Sequence, residues 1–277
     1  MRLRTDWLGP VRLTLRILLM ALTLIPALIF HGLWGLFRIP SPWPRYYLHG
    51  VARTCGLRTR TIGRPVRSDV FYVANHVGWM DICILAGATG CAFVAQDKIE
   101  KWPLIGWLAR RNYTVFVSRT DRLGIGAQIE VLRAALAEKT PVTIFPEGTT
   151  TNGRSLIPFK PSLFAVVVPP PKPMQVQPIA LHFDDVGVNL AWVRNETAPQ
   201  NALRVIRNGR AWRVLVEYLE PFDPSDCANR KAVAIKAQAA IDTALRARGG
   251  IDIDPVYFLP PYPLFPAQAA AASAVIA

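Results

Sequence analysis

The chain has 277 residues, half of them hydrophobic, and a formal net charge of +13 with a pI near 10.1. That length holds one catalytic domain and a short appendage. The basic balance asks for an anionic partner, and without zinc-finger spacing, an aromatic RNA-binding signature or a basic zipper, nucleic acid gives way to an anionic membrane surface.

Residues 17–37 contain no Asp, Glu, Lys or Arg. A helix of about 20 such residues spans the hydrocarbon core. The run is longer than a signal peptide's apolar region, and no small-residue cleavage site precedes Arg38. Pro26 is expected to kink it. The next stretch mixes Trp43, Tyr46 and Tyr47 with Arg45 and Arg53, a composition that favours a helix lying at the membrane interface. Basic residues flank the run on both sides, so the positive-inside rule leaves its orientation open.

After Gly56 short apolar runs alternate with helical stretches. Strands are expected at 58–63, 70–75, 91–95, 114–118, 142–145, 176–181 and 213–219. Helices are expected at 123–139 and 227–248, where apolar residues fall on one face. The alternation predicts an α/β fold, a mixed sheet layered by helices, behind an N-terminal membrane-associated helical segment. Three regions are expected: 1–56 for the membrane and interfacial helices, 57–250 for the catalytic domain, and 251–277 for a poorly ordered Pro/Ala-rich tail.

Cys55, Cys83, Cys91 and Cys227 form no CxxC pair, and the four His are scattered without HExxH. Reduced thiols and no metal site are expected. With the uncharged run, this leads to the expectation of a membrane-bound chain whose catalytic domain faces the cytoplasm.

Four patterns can carry chemistry. In Asn75-His76-Val77-Gly78-Trp79-Met80-Asp81 the strand 70–75 ends just before His76, and helical pattern begins near Trp79. On one continuous helix His76 and Asp81 would stand about 140° apart. With a turn between them, Asp81 can reach back to one ring nitrogen, fix the tautomer and leave the other nitrogen to take a proton from a hydroxyl. Phe145-Pro146-Glu147-Gly148-Thr149-Thr150 follows the strand 142–145 and also lies at a strand's carboxyl end, where α/β folds place ligands. Arg119 follows the strand 114–118 and can offer bidentate hydrogen bonds to a phosphate. Pro178 inside the strand 176–181 points to a sheet edge or a bulge. Taken singly, each has a plain structural explanation: a capped turn, a Pro-Gly turn, a solvated Arg, a strand bulge.

Together and in this order, the four resemble the glycerolipid acyltransferase family typified by bacterial 1-acylglycerol-3-phosphate acyltransferase, over residues 15 to 250. The resemblance implies that His76 is the general base on the acceptor's hydroxyl and Asp81 its partner. It implies that Arg119, Glu147, Gly148 and Thr149 bind the acceptor's polar head, and that Pro178 shapes the pocket. Two positions depart from the family pattern. Gly78 stands where the family has Ser, and Thr150 where Arg commonly follows FPEGT, with Arg154 as a local substitute. The FPEGTT form also looks like the lyso-ornithine lipid acyltransferase branch, whose acceptor carries no phosphate.

The sequence has no GxSxG elbow and no Cys or Ser placed as a nucleophile, and Cys83 reads as core. Direct attack of the acceptor oxygen on a thioester is therefore expected. The donor is acyl-CoA or acyl-carrier protein, and no further cofactor is implied. The expected reaction acylates the sn-2 hydroxyl of 1-acylglycerol-3-phosphate to give phosphatidic acid; lyso-ornithine lipid is the alternative acceptor. The rivals are a lipid hydrolase using the same base on water and an inactive lipid-binding scaffold.

Overall fold

Runs of β-branched and aromatic residues pair into one seven-stranded sheet, set among helices. The structure, a computed structural model, describes residues 7–39, 41–118, 125–137, 140–153, 155–184, 187–192 and 196–248. Arg119, Arg154 and the tail 251–277 lie outside the described residues.

In chain order the elements are α1 (Gly9–Leu36), α2 (Trp43–Thr54), β1 (Leu57–Ile62), β2 (Val70–Ala74), α3 (Met80–Thr89), β3 (Ala92–Gln96), α4 (Asp97–Glu100), α5 (Pro103–Arg111), β4 (Val115–Val117), α6 (Ile125–Ala137), β5 (Val142–Ile144), β6 (Gln175–Phe183), α7 (Ala198–Arg207), β7 (Trp212–Tyr218) and α8 (Arg230–Ala247). All seven strands fall on the expected runs. Their order across the sheet is β1-β7-β6-β2-β5-β3-β4, and each neighbouring pair is parallel except β6 with β7. This is the expected mixed α/β sheet.

Side chains alternate across it. Tyr72 and Ala74 of β2 face one core with Leu85 of α3, Ile179 and Leu181 of β6 and Val214 and Val216 of β7. Phe71 and Val73 face a second core with Leu132 and Leu136 of α6 and Ile241 of α8. β2 is buried along its whole length, as a parallel strand covered on both faces must be. β1 closes one edge with Arg58 and Arg60 exposed, which blunts edge-to-edge pairing.

Of the two readings expected for Pro178, edge or bulge, the second holds. β6 lies between β7 and β2, so Pro178 is not at an edge. It sits at a bulge: between the Ile179↔Tyr218 pair and the Val176↔Phe222 bridge, two residues of β6 oppose three of the segment after β7. The neighbouring Gln177 stitches the gap. Its amide donates to the carbonyls of Arg64 (3.0 Å) and Leu219 (3.0 Å), and its carbonyl accepts from Val66 N–H (2.9 Å).

α1 begins earlier than the uncharged run because Arg12 and Arg16, one turn apart, dock on the carbonyl end of α7. Arg12 donates to Arg207 O (2.8 Å), and Arg16 to Ile206 O and Asn208 O (both 2.7 Å). Cations at a helix C-terminus satisfy its last carbonyls. Beyond Arg16 the helix passes through Pro26 unbroken and leaves Leu18, Leu22, Ile25, Ile29, Leu33 and Leu36 exposed. Among the described residues it is the one helix long and apolar enough to cross a membrane. Trp43 of α2 stacks on Phe30 (4.5 Å between centroids) and meets Trp34 edge-on (6.1 Å). The far end of α2 enters the core through Val51 and Ala52.

Candidate active site

β2 and β5 are adjacent and parallel, so the turns leaving their carboxyl ends lie side by side. One carries His76 and the other Glu147. Asn75 extends the ladder before the first turn opens: its side-chain amide donates to Leu181 O (3.0 Å) and its carbonyl accepts from Leu181 N–H (2.8 Å).

α3 starts at Met80, so Asp81 falls in its first turn. The buried Asp81 Oδ2 accepts three hydrogen bonds: from His76 Nδ1 (2.8 Å), Val77 N–H (2.6 Å) and Gly78 N–H (2.9 Å). An oxygen that accepts from two backbone N–H groups acts as an acceptor toward the ring as well. Nδ1 therefore carries the proton, and Nε2 is the basic nitrogen. The imidazole also stacks on Phe145, 4.1 Å between centroids at 17°, and Phe145 lies parallel to Phe93 at 6.0 Å. Carboxylate and aromatic face together fix the ring plane. The His76 side chain keeps 19% of its surface open, so its chemistry is accessible.

Glu147, expected at the acceptor's polar head, is 1% exposed. Its Oε1 accepts from His76 N–H (2.7 Å) and its Oε2 from Ile157 N–H (2.9 Å). The side chain is a strut between the two turns. Gly148 follows at a φ of 75°, where L side chains are strained, and any side chain there would run into the ammonium group of Lys160. Thr149 is exposed. Thr151 closes the second turn onto the first: its N–H (2.8 Å) and hydroxyl (3.2 Å) both donate to His76 O.

Both departures from the family pattern meet one segment, Leu190–Trp192. A Cβ on Gly78 would stand 3.2 Å from Leu190 O. The Thr150 hydroxyl donates to Trp192 O (2.5 Å), and Trp192 N–H donates to Val77 O (2.9 Å). Gly78 lets the segment approach, and Thr150 ties it down. Arg204 of α7 holds it from behind. Its guanidinium donates to Ala191 O (2.9 Å), to Asn189 O and to both carboxylate oxygens of Glu196 (2.7 and 2.8 Å). Sequence reading singled out none of Phe145 as a ring support, Thr151, Trp192, Glu196 or Arg204. The Phe145, Thr151 and Trp192 contacts on the His76 turn are long-range, and no local spacing encodes them; Arg204 meets Glu196 eight residues away. Cys83 is buried on α3, and burial pushes its thiol well above the usual range, so it offers no thiolate. Among the described residues no group of three His, Cys, Asp or Glu is placed to hold a metal ion.

Burial pushes the Glu147 carboxyl up to about 8, against the pull of its two N–H donors. The folded chain then holds this proton more tightly than the unfolded one. Glu147's contribution to stability is full below its ordinary value and is lost as pH rises to about 8. Melting curves should therefore show wild type losing more Tm than Glu147→Gln between pH 5 and 8. Parallel Tm–pH curves for the two would contradict this.

The geometry presents a basic ring nitrogen, oriented by a carboxylate, at the mouth of two strands. A family model described as Acyltransferase matches residues 58–182. The lyso-ornithine lipid O-acyltransferase of Rhodobacter capsulatus is 34% identical over 256 residues, spanning 87% of this chain and 92% of that protein. The 1-acyl-sn-glycerol-3-phosphate acyltransferase of Neisseria gonorrhoeae is 31% identical over 134 residues, 47% of this chain and 52% of that one. The crystal structure of the 1-acyl-sn-glycerophosphate acyltransferase PlsC from Thermotoga maritima shares the fold, with a TM-score of 0.55 at 20% identity over 88% of this chain and 100% of that one. The match to the Rhodobacter protein runs nearly end to end, through the His76 and Glu147 turns, and it makes this chain a member of the glycerolipid acyltransferase family.

Proposed function

We propose that the chain transfers an acyl group from a thioester donor, acyl-CoA or acyl-carrier protein, to the hydroxyl of lyso-ornithine lipid. The observation that carries the acceptor choice is Thr150, which stands where the phosphate-using pattern has Arg and ties its hydroxyl to Trp192 O. The near full-length likeness to the Rhodobacter protein supports the same reading.

In the mechanism we infer, the acceptor's hydroxyl sits against His76 Nε2. Nε2 takes the proton as the oxygen attacks the thioester carbonyl. The C–S bond then breaks, and the imidazolium returns the proton to the leaving thiolate. Asp81 stabilises the imidazolium, and Glu147 keeps its turn in register. Residues 17–37 anchor the chain, α2 lies at the surface, and the catalytic domain faces the cytosol. Carbonate washing should leave the chain in the membrane pellet, and full release would contradict the anchor.

A second reading, 1-acylglycerol-3-phosphate as acceptor, draws on the Lys160 ammonium beside Gly148, a cation at the Glu147 turn. Initial rates with both acceptors and one acyl-CoA decide between the two. Wild type should prefer lyso-ornithine lipid, and Thr150→Arg should raise kcat/KM for the phosphate acceptor roughly tenfold. If wild type instead prefers the phosphate acceptor, and Arg119→Ala costs it on the order of thirtyfold, the second reading stands.

A further inference from the structure

A cavity of 310 Å³ lies on the α2–α3 face of the sheet, apart from the His76 and Glu147 turns, none of whose residues line it. Its wall runs along α3 from Cys83, two residues beyond Asp81 or about 3 Å along the helix, to Ala88. Arg45, Arg53, Arg67, Thr59, Thr61 and Tyr218 supply polar groups, and the wall contains no Asp or Glu.

Arg45 donates to Gly87 O (3.1 Å) and Ala88 O (2.9 Å), which covers the carbonyl end of α3 that would otherwise repel an anion. The side chains of Arg53 and Arg67 have no hydrogen bond or ion pair among the described residues. The Tyr218 hydroxyl is buried without a partner. Its neighbour Tyr72, 6.3 Å away between centroids, donates its own hydroxyl to Val66 O. Guanidinium groups without a counter-charge, beside an unanswered buried hydroxyl, are a donor set for phosphate oxygens. Arg45 and Arg53 stand two turns apart on α2, which is bound through Trp43 to the exposed apolar helix α1.

We propose that this cavity binds a phosphate-bearing anion, with Arg53 and Arg67 meeting its charge and the Tyr218 hydroxyl completing its hydrogen bonds. The anion comes from an anionic phospholipid head group or from free phosphate. The test uses purified full-length protein in non-ionic detergent at constant ionic strength. Tm and calorimetric binding are followed with dioctanoyl phosphatidylglycerol, dioctanoyl phosphatidylcholine and inorganic phosphate.

A saturable rise in Tm with phosphatidylglycerol, larger than with the other two, identifies the lipid source. An equal rise with inorganic phosphate, competing with the lipid, identifies the free source. In either case the Arg53→Gln/Arg67→Gln double variant should bind about tenfold more weakly or worse. Tyr218→Phe removes a hydroxyl that has no partner, so Tm without the anion should stay level or rise while binding weakens severalfold. A purely structural tyrosine would not separate the two readouts. No rise in Tm with any anion would overturn the proposal, as would wild-type affinity in the double variant.

Discussion

His76→Ala is expected to lower kcat on the order of 10³-fold while leaving Tm close to wild type. In the proposed mechanism the loss follows from removing the nitrogen that takes the acceptor's proton. The retained stability follows from the turn itself. Asp81 Oδ2 still accepts from Val77 and Gly78 N–H, and the His76 backbone N–H still donates to Glu147. The ring contributes one side-chain hydrogen bond and a stacking contact on Phe145. Initial rates with acyl-CoA, beside a thermal melt, separate the two effects. Full activity in this variant would remove His76 from the chemistry.

Asp81→Asn is expected to cost roughly 10²- to 10³-fold in kcat and a few degrees of Tm. With the amide oxygen in place of Oδ2, the three donors keep an acceptor, but a neutral one. The NH₂ then takes the place of Oδ1, which is buried and has no hydrogen-bond partner, so it gains nothing there. The missing charge no longer stabilises the imidazolium that forms as the acceptor loses its proton. The effect on Tm should exceed that of His76→Ala, because Asp81 is 1% exposed and its oxygen organises the whole turn. A variant with wild-type kcat and lowered Tm would make Asp81 a turn-former alone.

The sheet was legible because most strands are short runs of β-branched and aromatic residues bounded by breakers, and burial on two faces keeps the central ones apolar, while the edge strand β1 shows as alternating Arg and Thr. The His76–Asp81 pair was legible because its geometry is local. The strand ends at Ala74, α3 begins at Met80, and the turn between has only a few ways to fold. α7 carried a readable start, since Thr197 and Gln200 form a capping box, and its apolar residues fall on one face, but ten residues are a short stretch for that pattern to stand out. α5 is nine residues, too few for a periodic signal to stand out. Glu147's role was hidden for a different reason. Both of its partners are backbone N–H groups, which every sequence has everywhere, so only the fold says which two meet it. Trp192 was hidden for the same reason, since it meets the His76 turn from beyond β6 through its own backbone N–H on Val77 O, and Arg204 bonds the segment that carries it. Thr150 was visible as a departure, but its bond to Trp192 O was not. The motifs alone favour 1-acylglycerol-3-phosphate; that bond and the length of the match to the Rhodobacter protein turn the first choice to lyso-ornithine lipid.

The central claim is one-step transfer from thioester to acceptor hydroxyl with His76 as base. Rapid-quench turnover of the full-length protein with lyso-ornithine lipid and acyl-CoA labelled in its acyl chain tests it most directly. The account predicts label passing straight into diacylated lipid, one thiol released per acyl group moved, and no label retained on the protein at any time. Label accumulating on the protein before the product appears, or leaving chiefly as free fatty acid, would contradict it.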